Sequence, residues 1–381
     1  MTTLRSRLAV LRAAATVQRR YGKPVLSQLG EIARLRFGPG RMSGSHYYRF
    51  GLYDDRLRFE EKQQFVNWDW DYLADRLNNE GWAELCDDKL LTYAALRGLG
   101  LPFPEVRALF HPGGRQWGGA PAFASERDLA GFLRSGMQYP VFGKPVHDRQ
   151  GAGVSALLGH NAASDELTLG GGERMAVEQY VREVPARAWK GVVNRSDDAR
   201  GGYLFQEHLV LHPDIARLTG GRSCSLRFVV LLWPDGPRIH RALGRAAVGA
   251  NLMDNQGHLT GNLRMGIDPA TGTVVQTDRT PSRPPPDSPI GALGEATEVH
   301  PDTGERTNGF TYPCWNETVE LCLRAAAAFP AIRCQAWDLA IGPAGPTFVE
   351  LNMRGGVQQL VGGLGFNDAE FRRFMRLVKA G

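Results

Sequence analysis

Cysteine is scarce in this sequence, and the cysteines that occur are not spaced as metal ligands. Five are scattered over 381 residues, no two form a CxxC pair, and the nine histidines show no metal-ligand spacing. An odd and dispersed set of this kind argues against a disulfide framework and against a zinc site.

Long apolar runs are also missing. No uninterrupted run approaches the ~20 residues that span a bilayer, and arginines interrupt the leucines of residues 4–12, where a signal peptide needs an apolar core. Walker A, GxSxG and HExxH patterns do not occur. We therefore expect a cytoplasmic protein that is not a P-loop protein, a serine hydrolase or a zinc protease.

Acidic residues are nearly missing before residue 42. Nine basic residues stand there against Glu31 alone, whereas the whole chain carries 45 Lys and Arg against 40 Asp and Glu, a formal net charge of +5. A basic amphipathic N-terminus can bind anionic lipid or nucleic acid, and the alternative is a solvated helix face that packs on the rest of the protein. The basic residues are Arg5, Arg7, Arg12, Arg19, Arg20, Lys23, Arg34, Arg36 and Arg41.

Hydrophobic periodicity predicts the secondary structure. Leu4, Leu8, Leu11 and Ala15 recur at helical spacing, which predicts one amphipathic helix over residues 3–20. Further helices are predicted at 24–37, 89–97, 126–136, 317–329 and 368–379. Strands are predicted at 139–145, 154–158, 177–181, 203–209, 226–233, 239–250, 337–341 and 347–351.

The last predicted hairpin carries the strongest candidate site. Asp338 and Glu350 flank a four-residue turn and face each other across the paired strands, and Asn352 shares the side of Glu350 because side chains alternate along a strand. Three oxygen ligands on one face of a buried strand pair suit Mg²⁺, which takes few carboxylates and fills its shell with phosphates and water. The alternative is a polar sheet face exposed to solvent.

A second candidate is Lys144 at a strand end, followed by the glycine-rich turn Gly151-Ala152-Gly153. Such a lysine can hold phosphate oxygens while backbone N–H groups of the turn close over them, although a short Gly-x-Gly is often only a turn. Lys89, at the start of a helix, is another candidate for phosphate.

Two further sets complete the candidates. Gln206, Glu207 and Leu209 end an apolar strand, which can offer backbone groups to adenine and a carboxylate to ribose, or can be an ordinary strand edge. Arginine donates two parallel hydrogen bonds to phosphate or carboxylate, and the arginines of interest are Arg227, Arg245 and Arg354. Arg227 lies in an apolar strand, where its charge needs a partner.

The order of these segments resembles the ATP-grasp superfamily, and within it the sugar-transfer-associated branch. The likeness covers about residues 46–370, and the superfamily resemblance is carried by GLGLPFPE, YPVFGKPVHDRQGAGV, LFQEHL, SLRFVV and WDLAIGPAGPTFVELNMRGG. The resemblance to the branch is carried by NLMDNQGHLTGNL and HPDTGERTNGFTYPCWNETVELC. It implies an α+β ATP-grasp fold, in which two α+β subdomains grip ATP between antiparallel sheets, with a helical N-terminal extension. The domains expected are 1–85, 86–205 and 206–381.

The resemblance also implies roles for the candidate residues. Lys89 and Lys144 contact the phosphates of ATP, the glycine turn is a lid over them, and Gln206, Glu207 and Leu209 take adenine and ribose. Arg227 stabilises the transferring γ-phosphate or the acyl phosphate, and Arg354 lies beside the substrate carboxylate. The ligands of Mg²⁺ are Asp338, Glu350 and Asn352.

The function implied is ATP-dependent ligation of a carboxylate to an amine through an acyl phosphate. Phosphotransfer to another acceptor and a nucleotide-binding scaffold without turnover remain alternatives. We expect small-molecule carboxylate and amine partners and no nucleic acid, with peripheral contact between the basic N-terminus and anionic surfaces left open.

Overall fold

The structure is a computed structural model that describes residues 2–66, 77–147, 153–185, 201–254, 261–280, 290–353 and 365–380. Within these ranges, side chains are described from residue 8 to residue 378. The chain folds into two seven-stranded sheets with helices packed against them and a helical unit at the N-terminus.

The first sheet has the strand order β2-β1-β7-β3-β4-β5-β6. Among the strand pairs within the described residues of this sheet, β1 with β2 is parallel and the others are antiparallel. Its strands are β1 (Val106–Phe110), β2 (Ala122–Phe123), β3 (Val141–Pro145), β4 (Ser155–Asn161), β5 (Glu166–Leu169), β6 (Arg174–Ala176) and β7 (Tyr203–Glu207). The predicted domain boundary after residue 205 falls inside β7.

The second sheet is antiparallel throughout, with the order β12-β11-β10-β9-β8-β13-β14. The turn of the last hairpin needs a glycine, because Gly345 has a φ of +108°. The strands are β8 (Cys224–Trp233), β9 (Gly236–Ala246), β10 (Leu263–Ile267), β11 (Val274–Arg279), β12 (Glu295–Thr297), β13 (Cys334–Gly342) and β14 (Gly345–Asn352).

Most helices begin and end close to their predicted positions. Asp88 caps the helix that follows it by accepting hydrogen bonds from the N–H groups of Leu90 and Leu91. The helices are α1 (Thr2–Tyr21), α2 (Val25–Phe37), α3 (Gly44–Arg49), α4 (Phe59–Lys62), α5 (Ala83–Asp87), α6 (Lys89–Gly98), α7 (Glu126–Ser135), α8 (Val177–Glu183), α9 (Pro213–Thr219), α10 (Trp315–Ala327) and α11 (Ala369–Ala380).

The strand predicted at 177–181 is wrong, because this segment is the helix α8. Val177, Tyr180 and Val181 are spaced as on one helix face, and all three are buried in the hydrophobic cluster that also contains Leu129 and Leu133 of α7. Packing on α7 therefore overrides the strand preference of the two valines.

One hydrophobic core joins the two sheets. It contains residues of β1 and β7 together with alternate residues of β8 and β13, and it includes the fully buried Trp337. The chain crosses from β7 to the second sheet through residues 208–212, where the His212 N–H donates to the carbonyl of Ile341 at 2.8 Å. The candidate residues of the two sheets are thereby brought close together.

Candidate active site

The centre of the candidate site is a row of charged residues across three strands of the second sheet. Asp338 on β13 pairs in register with Glu350 on β14 and with Arg227 on β8. Partners in antiparallel register share a face of the sheet. The three side chains therefore lie on one face, as the sequence predicted for Asp338 and Glu350.

Asp338 is held by two arginines. Arg227 binds it in a two-pronged ion pair, with Nε to Oδ1 at 2.7 Å and Nη2 to Oδ2 at 2.6 Å. Arg245 Nη2 adds a contact of 3.0 Å to Oδ1 and also donates to Ser225 Oγ at 3.0 Å. Burial alone would raise the pKa of the Asp338 carboxyl, yet the two guanidinium groups hold it below its ordinary value. Asp338 is thus a buried, ionised carboxylate.

The oxygen ligands around Glu350 suit a magnesium ion. The Nδ2 atom of Asn352 is a buried N–H donor without a hydrogen-bond partner among the described residues, so it calls for an acceptor such as a phosphate oxygen, and the Oδ1 atom of the same amide is the one that a metal would take. Carboxylate and amide oxygens are the ligand types that Mg²⁺ takes. Asp338 already uses three of its roughly four lone-pair directions on the arginines, so it keeps about one for a metal.

Lys89 connects this hairpin to the first sheet. Its Nζ lies 3.8 Å from Glu350 Oε1 and donates to the carbonyl of Val146 at 3.3 Å. Val146 directly follows β3, the strand that carries Lys144. The structure thus brings both predicted phosphate lysines to the side of the metal hairpin.

Lys144 is buried and makes a hydrogen bond of 2.9 Å from Nζ to the hydroxyl of Tyr93. Burial, and after it repulsion from Lys89, lowers the pKa of Lys144 to about 7, against the opposing effect of Glu350 and Asp338. An anion bound here would restore the charge of this lysine.

Tyr93 is a site residue that the sequence analysis missed. Its hydroxyl accepts from Lys144 and lies 3.1 Å from both Gln206 Oε1 and the carbonyl oxygen of Val349, to one of which it donates. It therefore joins α6, β3, β7 and β14 at one point. The available signal was its position four residues after Lys89, which places both side chains on one face of α6.

The predicted nucleotide linker lies where β7 leaves the first sheet. Gln206 is buried under Tyr93, whereas Glu207 bridges to β1, since its Oε1 accepts from the N–H of Glu105 at 3.1 Å. Leu209 is half-buried in the connection to the second sheet.

The predicted glycine lid is described only in part. Strands β3 and β4 pair as expected of a hairpin, with Gly143 opposite Ser155, and Gly153 precedes β4 with a φ of +73°. Gly151, Ala152 and the predicted substrate arginine Arg354 lie outside the described residues.

The polar face continues beyond the predicted residues. Arg245 on β9 pairs in register with Arg264 on β10, which pairs with Asp278 on β11, and all three are buried. Asp254 is buried as well, and burial raises the pKa of its carboxyl. Arg245 and Asp278 are 33 positions apart in the sequence, so no local motif identifies these four residues as a set.

Comparison with known protein families identifies the family of this chain. The family described as sugar-transfer associated ATP-grasp matches residues 70–370 of the chain. The chain belongs to this family. The ATP-grasp fold and the resemblance stated from the sequence are thereby confirmed.

Solved structures similar to this ATP-grasp chain are distant in sequence. A Campylobacter jejuni biotin carboxylase in complex with β-γ-ATP is 9% identical with a TM-score of 0.45, over 78% of this chain and 47% of that one. An L-amino acid ligase from Bacillus licheniformis is 12% identical with a TM-score of 0.36, over 72% and 41%. The VanG D-Ala:D-Ser ligase from Enterococcus faecalis is 11% identical with a TM-score of 0.40, over 76% and 62%. This chain thus spans about half the length of these enzymes.

A comparison with the sequences of curated proteins finds none that matches this chain. Among the described residues, no helix is long and apolar enough to cross a membrane.

Proposed function

We propose that this ATP-grasp chain is an ADP-forming carboxylate–amine ligase. The observation that carries it is the convergence of four cationic side chains around Asp338 and Glu350 at the junction of the two sheets. The cations are Lys89, Lys144, Arg227 and Arg245. An excess of buried positive charge next to oxygen ligands suits the triphosphate of ATP and the charge that develops during phosphoryl transfer.

The residues divide between holding the nucleotide and stabilising charge. Lys89 and Lys144 bind the phosphates, and Gly151, Ala152 and Gly153 form the lid that excludes water. Gln206, Glu207 and Leu209 take adenine and ribose. Glu350 and Asn352, with the remaining position of Asp338, hold Mg²⁺, which neutralises phosphate charge when bound.

Arg227 and Arg354 act on the reacting groups. An oxygen of the substrate carboxylate attacks the γ-phosphorus of ATP, the bond from that phosphorus to the β,γ-bridging oxygen breaks, and ADP leaves. Arg227, fixed in its orientation by both Asp338 oxygens, stabilises the transferring phosphoryl oxygens. Arg354 holds the substrate carboxylate. A neutral amine then attacks the acyl carbon, phosphate leaves, and loss of a proton from nitrogen gives the amide.

The experiment is ATP consumption with Mg²⁺ against a panel of amino acids, uronic acids and amino sugars. ADP and phosphate are measured, and the products are identified by mass spectrometry. We expect substrate-dependent ADP release with an amide product, and loss of both with Glu350→Gln.

Other outcomes identify the alternatives. A phosphorylated acceptor without an amide would make the chain a phosphotransferase. ATP binding without turnover on any substrate pair would favour a nucleotide-binding scaffold.

A further inference from the structure

The N-terminal helices expose apolar side chains, including those of the apolar stripe by which the sequence predicts α1. On α1, Leu8 and Leu11 are 48% and 51% exposed and Ala15 is exposed too. The face that packs on the protein instead carries Ala13, Ala14 and Val17. The predicted apolar stripe therefore points to solvent.

The second helix, α2, exposes its apolar side chains even more. Leu26 is 83% exposed and Phe37 is 90% exposed. Gly30 and Ala33 between them are exposed as well, and the spacing of four, three and four residues places all four on one side of α2. Gln28 and Leu35 are buried on the other side. Single exposed apolar residues are ordinary, but an apolar stripe along a helix marks a contact surface.

The exposed charge that these two helices themselves carry has one sign. Between residues 8 and 42 six arginines are exposed, and no acidic residue is. Glu31, the one acid there, is turned inward, where it binds Lys23, Lys62 and the hydroxyl of Tyr47. The exposed arginines are Arg12, Arg19, Arg20, Arg34, Arg36 and Arg41.

We propose that the outward faces of α1 and α2 bind the surface of an anionic phospholipid membrane. Arginines attract the negative headgroups, and each basic residue near such a surface strengthens binding about fivefold. Leucine and phenylalanine side chains then enter the interface, as in helices that lie in the plane of a membrane. The apolar stripes favour lipid over nucleic acid, because a nucleic-acid surface provides phosphates but no apolar interior to receive Leu26 and Phe37.

The test is co-sedimentation of the full chain with phosphatidylcholine vesicles, with and without phosphatidylglycerol. We expect binding only to the anionic vesicles, weakened by added salt because charge attraction is screened. Leu26→Glu/Phe37→Glu and Arg19→Glu/Arg20→Glu should each reduce binding more than tenfold.

Matched controls separate this surface from the rest of the protein. Leu158→Glu changes an exposed leucine of β4, and Arg127→Glu reverses an exposed charge of α7; both should leave vesicle binding unchanged. All four variants replace exposed residues and should keep the wild-type circular dichroism and ATP affinity, so a failed ligase assay has no bearing on this result.

Three outcomes overturn the inference: no binding to anionic vesicles, equal binding to neutral vesicles, or vesicle binding that survives both N-terminal variants. A different result would assign the surface to a second copy of the chain: the wild-type protein does not bind vesicles but self-associates, and Leu26→Glu/Phe37→Glu abolishes this self-association. If the protein does not bind vesicles but binds duplex DNA, and Leu26→Glu/Phe37→Glu keeps this DNA binding, the arginines bind nucleic acid.

Discussion

Two clusters of buried cations in this protein differ in how completely their charges are compensated, and the first of them includes the exposed Asp55. In the N-terminal unit, Lys23 contacts Glu31 at 2.7 Å and Asp55 at 2.6 Å, and Lys62 contacts Glu31 at 3.1 Å and Asp55 at 3.6 Å. Two lysines meet two acids and the set is closed. Such a cluster holds α2 to the segment that follows it and needs no ligand.

The cluster of the candidate site is open by contrast. Four basic side chains surround Asp338 and Glu350, burial lowers the pKa of one of them, Lys144, to about 7, and Asn352 Nδ2 has no partner among the described residues. The difference teaches that burial of charge does not by itself indicate a binding site. Buried charge in excess, with polar groups still lacking partners, does.

Glu350→Gln should show the largest effect, because it removes a negative ligand from the open cluster while keeping its shape. We expect ATP turnover to fall about 10²–10³-fold, with little change in the free energy of unfolding. Glu298→Gln, which replaces a surface glutamate paired with Arg306, is the control for steady-state kinetics. Equal turnover in the two variants would remove Glu350 from the metal site.

Glu31→Gln tests the closed cluster. Lys23 and Lys62 would then share only Asp55, and we expect the free energy of unfolding to fall by about 3 kcal/mol, because an unpaired buried charge is costly. Urea denaturation measures this, with the exposed Glu60→Gln of α4 as control. ATP affinity should not change; a parallel loss of affinity would mean that the two clusters are coupled.

Lys144→Met should weaken ATP binding about tenfold near pH 6, because a charge at the phosphates is lost. Since the pKa of the free Lys144 is lowered to about 7, the wild-type lysine becomes neutral as pH rises through 7, and its advantage over methionine should shrink toward pH 8. Isothermal titration calorimetry measures the ATP affinity of both proteins at several pH values. The protonation of ATP affects both affinities equally, so it cancels in their ratio. A constant ratio of affinities over this range would contradict the lowered pKa.

Tyr93→Phe should have the smallest effect. It removes one hydroxyl that links Lys144 to the second sheet, and we expect a loss of about 1 kcal/mol in the free energy of unfolding together with weaker ATP binding. Tyr203→Phe, which removes a buried hydroxyl bonded to Ser155 at 2.9 Å, should cost similar stability and leave ATP affinity intact. If both variants bind ATP equally, Tyr93 has only a structural role.

Much of the local structure was predictable. Helical periodicity located α1, Pro24 and the glycine at 38 located α2, the capping residue Ser125 located α7, and the glycines at 342 and 345 located the turn of the last hairpin. The metal and phosphate residues remain predictions as ligands, yet the structure brings those that it describes, Lys89, Lys144, Asp338, Glu350 and Asn352, to one region.

The sequence by itself determined six of the helices, most of the long strands and the pairing of Asp338 with Glu350, because helix periods, strand alternation and turn chemistry act over a few residues. Only the tertiary structure decided which partners those residues meet. Arg227 lies 111 positions from Asp338, and Tyr93 lies 51 from Lys144 and 113 from Gln206. It also decided that Leu8, Leu11, Leu26 and Phe37 face outward, since an amphipathic pattern shows which residues share a face but not which face finds a packing partner.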